Sequence, residues 1–170
     1  MERMTSAFAH KMIRQLTEEK QYWLLKEENG CSYCASADEE PVIPDYHYDE
    51  VAERLAEIDN KILKIRHAVN VSNCSNTIEV MGETLTIDMA LIRMAQLSKL
   101  KDKLDRMRRQ EPKTRTMQRI SARMGVPEYL YINYDLGLVK KDFQETDERI
   151  TKLQLALDRY NQTVEFDVDI

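Results

Sequence analysis

From Val51 to Val69 the large apolar residues fall at alternating steps of four and three: Val51, Leu55, Ile58, Ile62, Ile65 and Val69. A stripe of that spacing stays on one side of an α-helix, since two helical turns take up about seven residues. Such a face is not stable bare in water and must be covered by another apolar helical face. The helix starts near Asp49 and ends at VNVSNCSN, where Ser and Asn side chains compete for helical hydrogen bonds.

Three further helices are legible. Ala9, Ile13, Leu16 and Trp23, interrupted by Lys20, mark one from about Thr5 to Glu28. Asn29 and Gly30 are expected to stop it, because both tolerate left-handed backbone. Another is capped by Thr86, carries Met89, Ile92, Met94, Leu97, Leu100, Leu104 and Met107, and stops at Glu111-Pro112. In the last, from about Gly137 to Asn161, Val139, Phe143, Thr146, Ile150, Leu153, Leu157 and Tyr160 repeat the four-three alternation with one polar member.

Between helices, TIEVMGETLT alternates about Met81-Gly82 and predicts a short β-hairpin. TVEFDVDI alternates apolar and acidic residues, which predicts a strand added to that hairpin or to another subunit. The expected fold is mainly α: a single helical domain over 1–170, an antiparallel bundle of about four helices with long coiled-coil-like seams. A hairpin at about 77–86 and an extended C-terminal tail complete it. Residues 29–48 form a long acidic connection, and 112–136 an irregular basic and aromatic segment. Helices of about 22 to 25 residues run roughly 33 to 38 Å, longer than a compact domain of this size is wide, so a homo-oligomer is expected.

Only four glycines and four prolines interrupt the chain, consistent with long helices. No apolar run approaches the roughly 18 residues of a membrane-spanning helix, and the N-terminus carries no signal-peptide core. The expected location is the cytoplasm, with no membrane partner. Three cysteines, an odd number, fit reduced thiols there rather than a disulfide framework.

Charge is unevenly spread. Arg93 to Arg123 holds eleven Lys or Arg against three Asp or Glu, a local +8 within a chain of net charge −5. Asp102–Arg106 and Asp105–Arg109 are favourable i,i+4 pairs that dress a helix face. Beyond them Arg108, Arg109, Lys113, Arg115, Arg119 and Arg123 form a basic run whose cations can converge on phosphate or carboxylate. Tyr129, Tyr131 and Asn133 follow at once and share one face if extended. Rings stack on a nucleobase while cations hold phosphate. Asn70, Asn73 and Asn76, in an Asn-rich turn, add amides able to read a base edge. The plain alternative is that tyrosines pack, asparagines cap and the basic face is solvated or bridges subunits.

Catalytic signatures are missing. There is no Gly-rich phosphate loop, HExxH or GxSxG, and the three histidines are scattered. His67 reads as a partly solvated helix residue. Cys31 and Cys34 have zinc spacing, which Cys74, His47 or His67 could complete, yet a strong zinc signature needs two such pairs. They are weak metal candidates, and no cofactor is expected.

The stretch KIRHAVNVSNCSNTIEVMGETLTIDMALIRMAQLSKLKDKLD, followed later by DERITKLQLALDRYNQTVEF, resembles the septicolysin-like family of small helical bacterial proteins of unassigned function. The resemblance covers about 49–170. It rests on a helix ending in an Asn-rich turn, a hairpin leading through Thr-Leu-Thr into a long helix, an Arg-bearing segment and a final helix. It implies the fold and carries no settled activity. The Cys31–Cys34 connection departs from the family pattern.

Together these features point to a non-catalytic oligomer that binds, and sequesters, a small anionic nucleotide-like molecule, as a bacterial or phage-borne sponge for a nucleotide signal would. The competing expectations are a structural or adaptor helical bundle and an enzyme with an unrecognised site. Nucleic-acid binding is disfavoured by the overall acidity and the lack of a recognition helix.

Overall fold

Two threonines set where two of the helices begin. Thr5 Oγ1 accepts from the Phe8 amide at 3.3 Å and opens α1 (Ser6–Gly30), after strand β1 (Glu2–Thr5). Thr86 Oγ1 accepts from the Met89 amide at 3.2 Å and opens α3 (Ile87–Arg108). Each satisfies an amide that the first helical turn leaves without a partner. Between them lie α2 (Tyr48–Ser75) and strands β2 (Thr77–Val80) and β3 (Glu83–Thr86). After α3 come β4 (Lys113–Arg115), β5 (Tyr129–Tyr131), α4 (Leu136–Thr163) and β6 (Glu165–Val168). This computed structural model describes residues 1–115 and 128–170. The protein is mainly helical with small sheets, and no described helix is long and apolar enough to cross a membrane.

The described residues divide into two compact units. One comprises Met1–Thr77 with Asp158–Ile170, the other Ile78–Leu157. In the first, α1 packs on α2. Glu19–Arg54 (2.7 Å), Lys20–Asp59 (2.7 Å) and Lys26–Glu50 (4.0 Å) cross between the helices, and the later α1 residue of the last two meets the earlier α2 residue, so the two helices are antiparallel. The Lys20 that interrupts the α1 stripe thus supplies one of the pairs. Exposed pairs are worth about 0–1 kcal/mol each, whereas burying an Ile or Val side chain is worth roughly 1.5–3 kcal/mol. The seam, not the charge ladder, holds the helices.

On α2 the buried residues Val51, Ile58, Ile65 and Ser72 recur every seventh position. Leu55 and Ile62, the intervening members of the stripe, are only half-buried. Met4, Ala9, Ile65, Val69 and Val168 close the core of this unit, with Met12, Ile13, Leu16 and Phe166 against it. The C-terminal alternation does form a strand, but its partner is β1 rather than the hairpin or a second subunit. Glu2 pairs with Val168 and Thr5 with Glu165 in an antiparallel two-stranded sheet. Met4 and Val168 turn inward there, which rewards this pairing with two buried apolar side chains.

Helix α1 does end at Gly30, where the stop was expected, but not through left-handed backbone: the Gly30 φ is not positive, and Met81 (φ 55°) and Gly82 (φ 77°) hold the positive values among the described residues. Those two make the two-residue loop of the β2–β3 hairpin, in which both loop residues need left-handed backbone.

In the second unit, buried Ala90, Leu97 and Leu104 on α3 recur at seven, as do Val139, Thr146 and Leu153 on α4. Lys101 pairs with Asp147, and the Arg108 guanidinium lies 3.9 Å from the Phe143 ring centre. These contacts again run in opposite order, so α3 and α4 are antiparallel. Asp135 caps α4: its Oδ1 accepts from the amides of Gly137 (2.7 Å) and Leu138 (3.1 Å).

Candidate functional site

The segment 112–136, expected to be irregular, contains an antiparallel ribbon. Lys113 pairs with Tyr131, Thr114 with Leu130 and Arg115 with Tyr129. Tyr-Leu-Tyr suits a strand, because aromatic side chains pack on a pleated surface. The Ile132 amide extends the ribbon by donating to the Pro112 carbonyl at 3.3 Å, and the Tyr134 hydroxyl anchors its exit by donating to the Met107 carbonyl at 2.8 Å.

Alternation then decides which side chains meet. Lys113 and Arg115 share a face with their partners Tyr131 and Tyr129, while Thr114 and Leu130 take the other. The Lys113 ammonium stands 4.1 Å from the Tyr129 ring centre and 5.4 Å from that of Tyr131, and the two ring centres are 6.5 Å apart. All four residues are exposed, and Arg115 makes no ion pair or hydrogen bond among the described residues. The result is an open basic and aromatic face whose Arg115 guanidinium has no partner among the described residues.

The rest of the predicted set falls elsewhere. Arg108 and Arg109 are both engaged by Asp105, at 2.6 and 2.8 Å. Hydrogen bonding from Arg108, with the charge of Arg109 beside it, holds the Asp105 carboxyl below the usual aspartate range. The Arg109 engagement was visible in the i,i+4 spacing; that of Arg108 is i,i+3, and the other expected pair, Asp102–Arg106, does not form among the described residues. Asn133 lies beyond β5 and is exposed. Arg119 and Arg123 lie outside the described residues. Asn70 and Asn73 belong to the other unit and sit within α2, which runs to Ser75, so no Asn-rich turn is present at 70–73. Asn76 is the helix cap. Its amide donates to the Ser72 carbonyl (3.0 Å) and to Ser72 Oγ (3.1 Å), and Ser72 Oγ is 2.7 Å from the Tyr160 hydroxyl.

That polar knot borders a cleft in the first unit which the sequence did not reveal. It has a volume of about 480 Å³ between the C-terminal half of α2 and β6. Ala68, Val71 and Phe166 give it apolar lining, Lys64 and His67 line it from α2, and Asp167 and Asp169 from the C-terminal segment. The signal was present in two pieces, the positions 64, 67, 68, 71 and 75 on one helical face and the acids of TVEFDVDI. Only tertiary structure joins them.

No family model matches the chain, and no curated protein does. The chain is similar to a solved structure. A functionally unknown conserved protein from Corynebacterium diphtheriae superposes with a TM-score of 0.68 at 15% identity, over 98% of this chain and 100% of that one. At that identity the likeness is one of fold.

Cys31, Cys34 and Cys74 are all exposed free thiols. Among the described residues, no three of His, Cys, Asp or Glu are placed to hold a metal ion.

Proposed function

We propose that this protein binds a small anionic, nucleotide-like molecule on the β4–β5 ribbon and sequesters it without chemical change. The observation that carries this reading is the face shared by Lys113, Arg115, Tyr129 and Tyr131, in which two exposed rings flank an ammonium. An exposed cation–π contact is worth only about 0.5–1 kcal/mol, so a planar base can displace the lysine from the rings and leave its charge for a phosphate. Arg115, two residue pairs along the ribbon on the same face, supplies a fork for the same phosphate or the next. The deciding measurement is calorimetry against mono-, di- and cyclic nucleotides and ADP-ribose derivatives. Binding should be salt-sensitive, Arg115→Ala should weaken it by about 1.5–3 kcal/mol, and the ligand should be recovered intact. No binding anywhere in the panel would end the proposal.

The protein works, in this reading, as a homo-oligomer built along coiled-coil-like helical seams. Leu91 and Ile92 on α3 and Leu155 on α4 stay exposed beside fully buried neighbours, faces that a second copy would cover. Native mass spectrometry should report more than one subunit, and a strictly monomeric mass would remove this part. The order of α2, hairpin, α3, ribbon and α4 also supports placing the chain with the septicolysin-like family.

A further inference from the structure

We propose that the cleft between α2 and β6 is a binding site for a small zwitterion with an apolar body, of the α-amino-acid class. The cleft lies in the unit that does not contain the ribbon and shares no residue with it, so this inference stands apart from the nucleotide reading.

Its volume of about 480 Å³ falls within the range of small-molecule sites, roughly 300–1,000 Å³. Ala68, Val71 and Phe166 offer an apolar guest a surface from which water is displaced at a gain. The charges around that surface set what else the guest must carry. Lys64 and His67 line the cleft from the helix, Asp167 and Asp169 from the C-terminal segment. None of the four side chains makes an ion pair or hydrogen bond among the described residues. The cleft thus keeps both signs of charge within one site, too far apart to pair with each other.

A guest bearing one charge satisfies one pole and brings the other close to a like or neutral group. A phosphate ester would face two carboxylates, and a plain hydrocarbon would engage neither pole. A compact apolar body with an ammonium and a carboxylate engages both, the ammonium toward Asp167 and Asp169, the carboxylate toward Lys64 and His67. Because the Lys64, Asp167 and Asp169 charges are solvent-accessible, binding weakens as salt is added.

The test uses the full chain and three related probes: L-phenylalanine, 3-phenylpropionate, which lacks the ammonium, and 2-phenylethylamine, which lacks the carboxylate. Titration followed by amide and methyl chemical shifts should move Ala68 and Val71 with L-phenylalanine. Each singly charged analogue should bind at least tenfold more weakly. Asp169→Asn and Lys64→Gln, both at positions without structural partners, should each lower L-phenylalanine affinity while leaving the melting temperature unchanged. Equal affinity for the three probes would mean that only the apolar surface is used, and would overturn the assignment. So would shift changes confined to other residues, no saturable change at all, or wild-type affinity in both variants.

Discussion

Tyr46 lies so close against Gly30 that a Cβ built on the glycine would come within 2.6 Å of the tyrosine Cβ. The chain leaves α1 through 31–43, wholly exposed, and Tyr46 is where it returns to the helix. The Tyr46 hydroxyl also donates to Glu27 at 3.4 Å. Burial, reinforced by the Glu27 charge, raises the Tyr46 pKa above the ordinary tyrosine value.

Gly30→Ala should therefore destabilise the protein by about 1–3 kcal/mol, the usual cost of overpacking, despite the better helix propensity of alanine. In a Tyr46→Gly background the same substitution should cost nothing or stabilise. Denaturant unfolding of the four variants gives the coupling directly, and additive effects would show that the two residues do not meet.

Ser6 is 1% exposed, and its hydroxyl finds no hydrogen-bond partner among the described residues. A buried, unpaired hydroxyl costs roughly 1–3 kcal/mol. Ser6→Ala should raise stability by about 1 kcal/mol, read as a higher melting temperature. A loss on substitution would reveal a partner for the hydroxyl.

Met81 occupies left-handed backbone that costs an ordinary side chain roughly 1–2 kcal/mol, and Asn tolerates it better. Met81→Asn should stabilise the hairpin by about 0.5–1 kcal/mol, since the exposed Met81 side chain gives up little packing. Gly82→Ala should do the reverse. Hydrogen exchange of the β2 and β3 amides separates a local gain from a global one.

Asp105 carries the acid dependence of the α3 C-terminus. Its folded pKa is lowered, chiefly by the Arg108 hydrogen bond. Its contribution is therefore fully present above the unfolded aspartate pKa and is lost as pH falls through the lower folded value. Thermal unfolding from neutral pH into strong acid should show a shallower decline for Asp105→Asn than for the wild type. Identical slopes would mean that the carboxyl titrates normally in the folded protein.

What the sequence disclosed was what is local. The α2 stripe, the Thr86 cap and the Met81-Gly82 turn each depend on residues within a few positions, and each stands where the spacing predicted. The helix end at Gly30 was legible, but the reason for the glycine was not, because that reason lies at Tyr46 and the local sequence offers only left-handed backbone. Strand β1 was missed because Glu-Arg-Met-Thr is too short to alternate convincingly, and its partner lies at the far end of the chain. Of the ribbon site, the residue types were legible and the pairing was not: Lys113 and Tyr131 are opposite only because of a register set by backbone hydrogen bonds. The cleft needed α2 and β6 side by side, a juxtaposition no window along the chain contains.

The pairing of β1 with β6 also bears on how the chain matures during synthesis. Residues 2–5 leave the ribosome well before residues 165–168 and can find no strand partner until those follow, more than 150 positions later. Closing so long a loop costs only logarithmically more than closing a short one, so the finished sheet is not much penalised for it. The delay is a matter of timing rather than equilibrium. Until residues 165–168 emerge, Met4 and its core neighbours must remain uncovered on one side, while Ile78–Leu157, a continuous stretch, is free to collapse as it emerges.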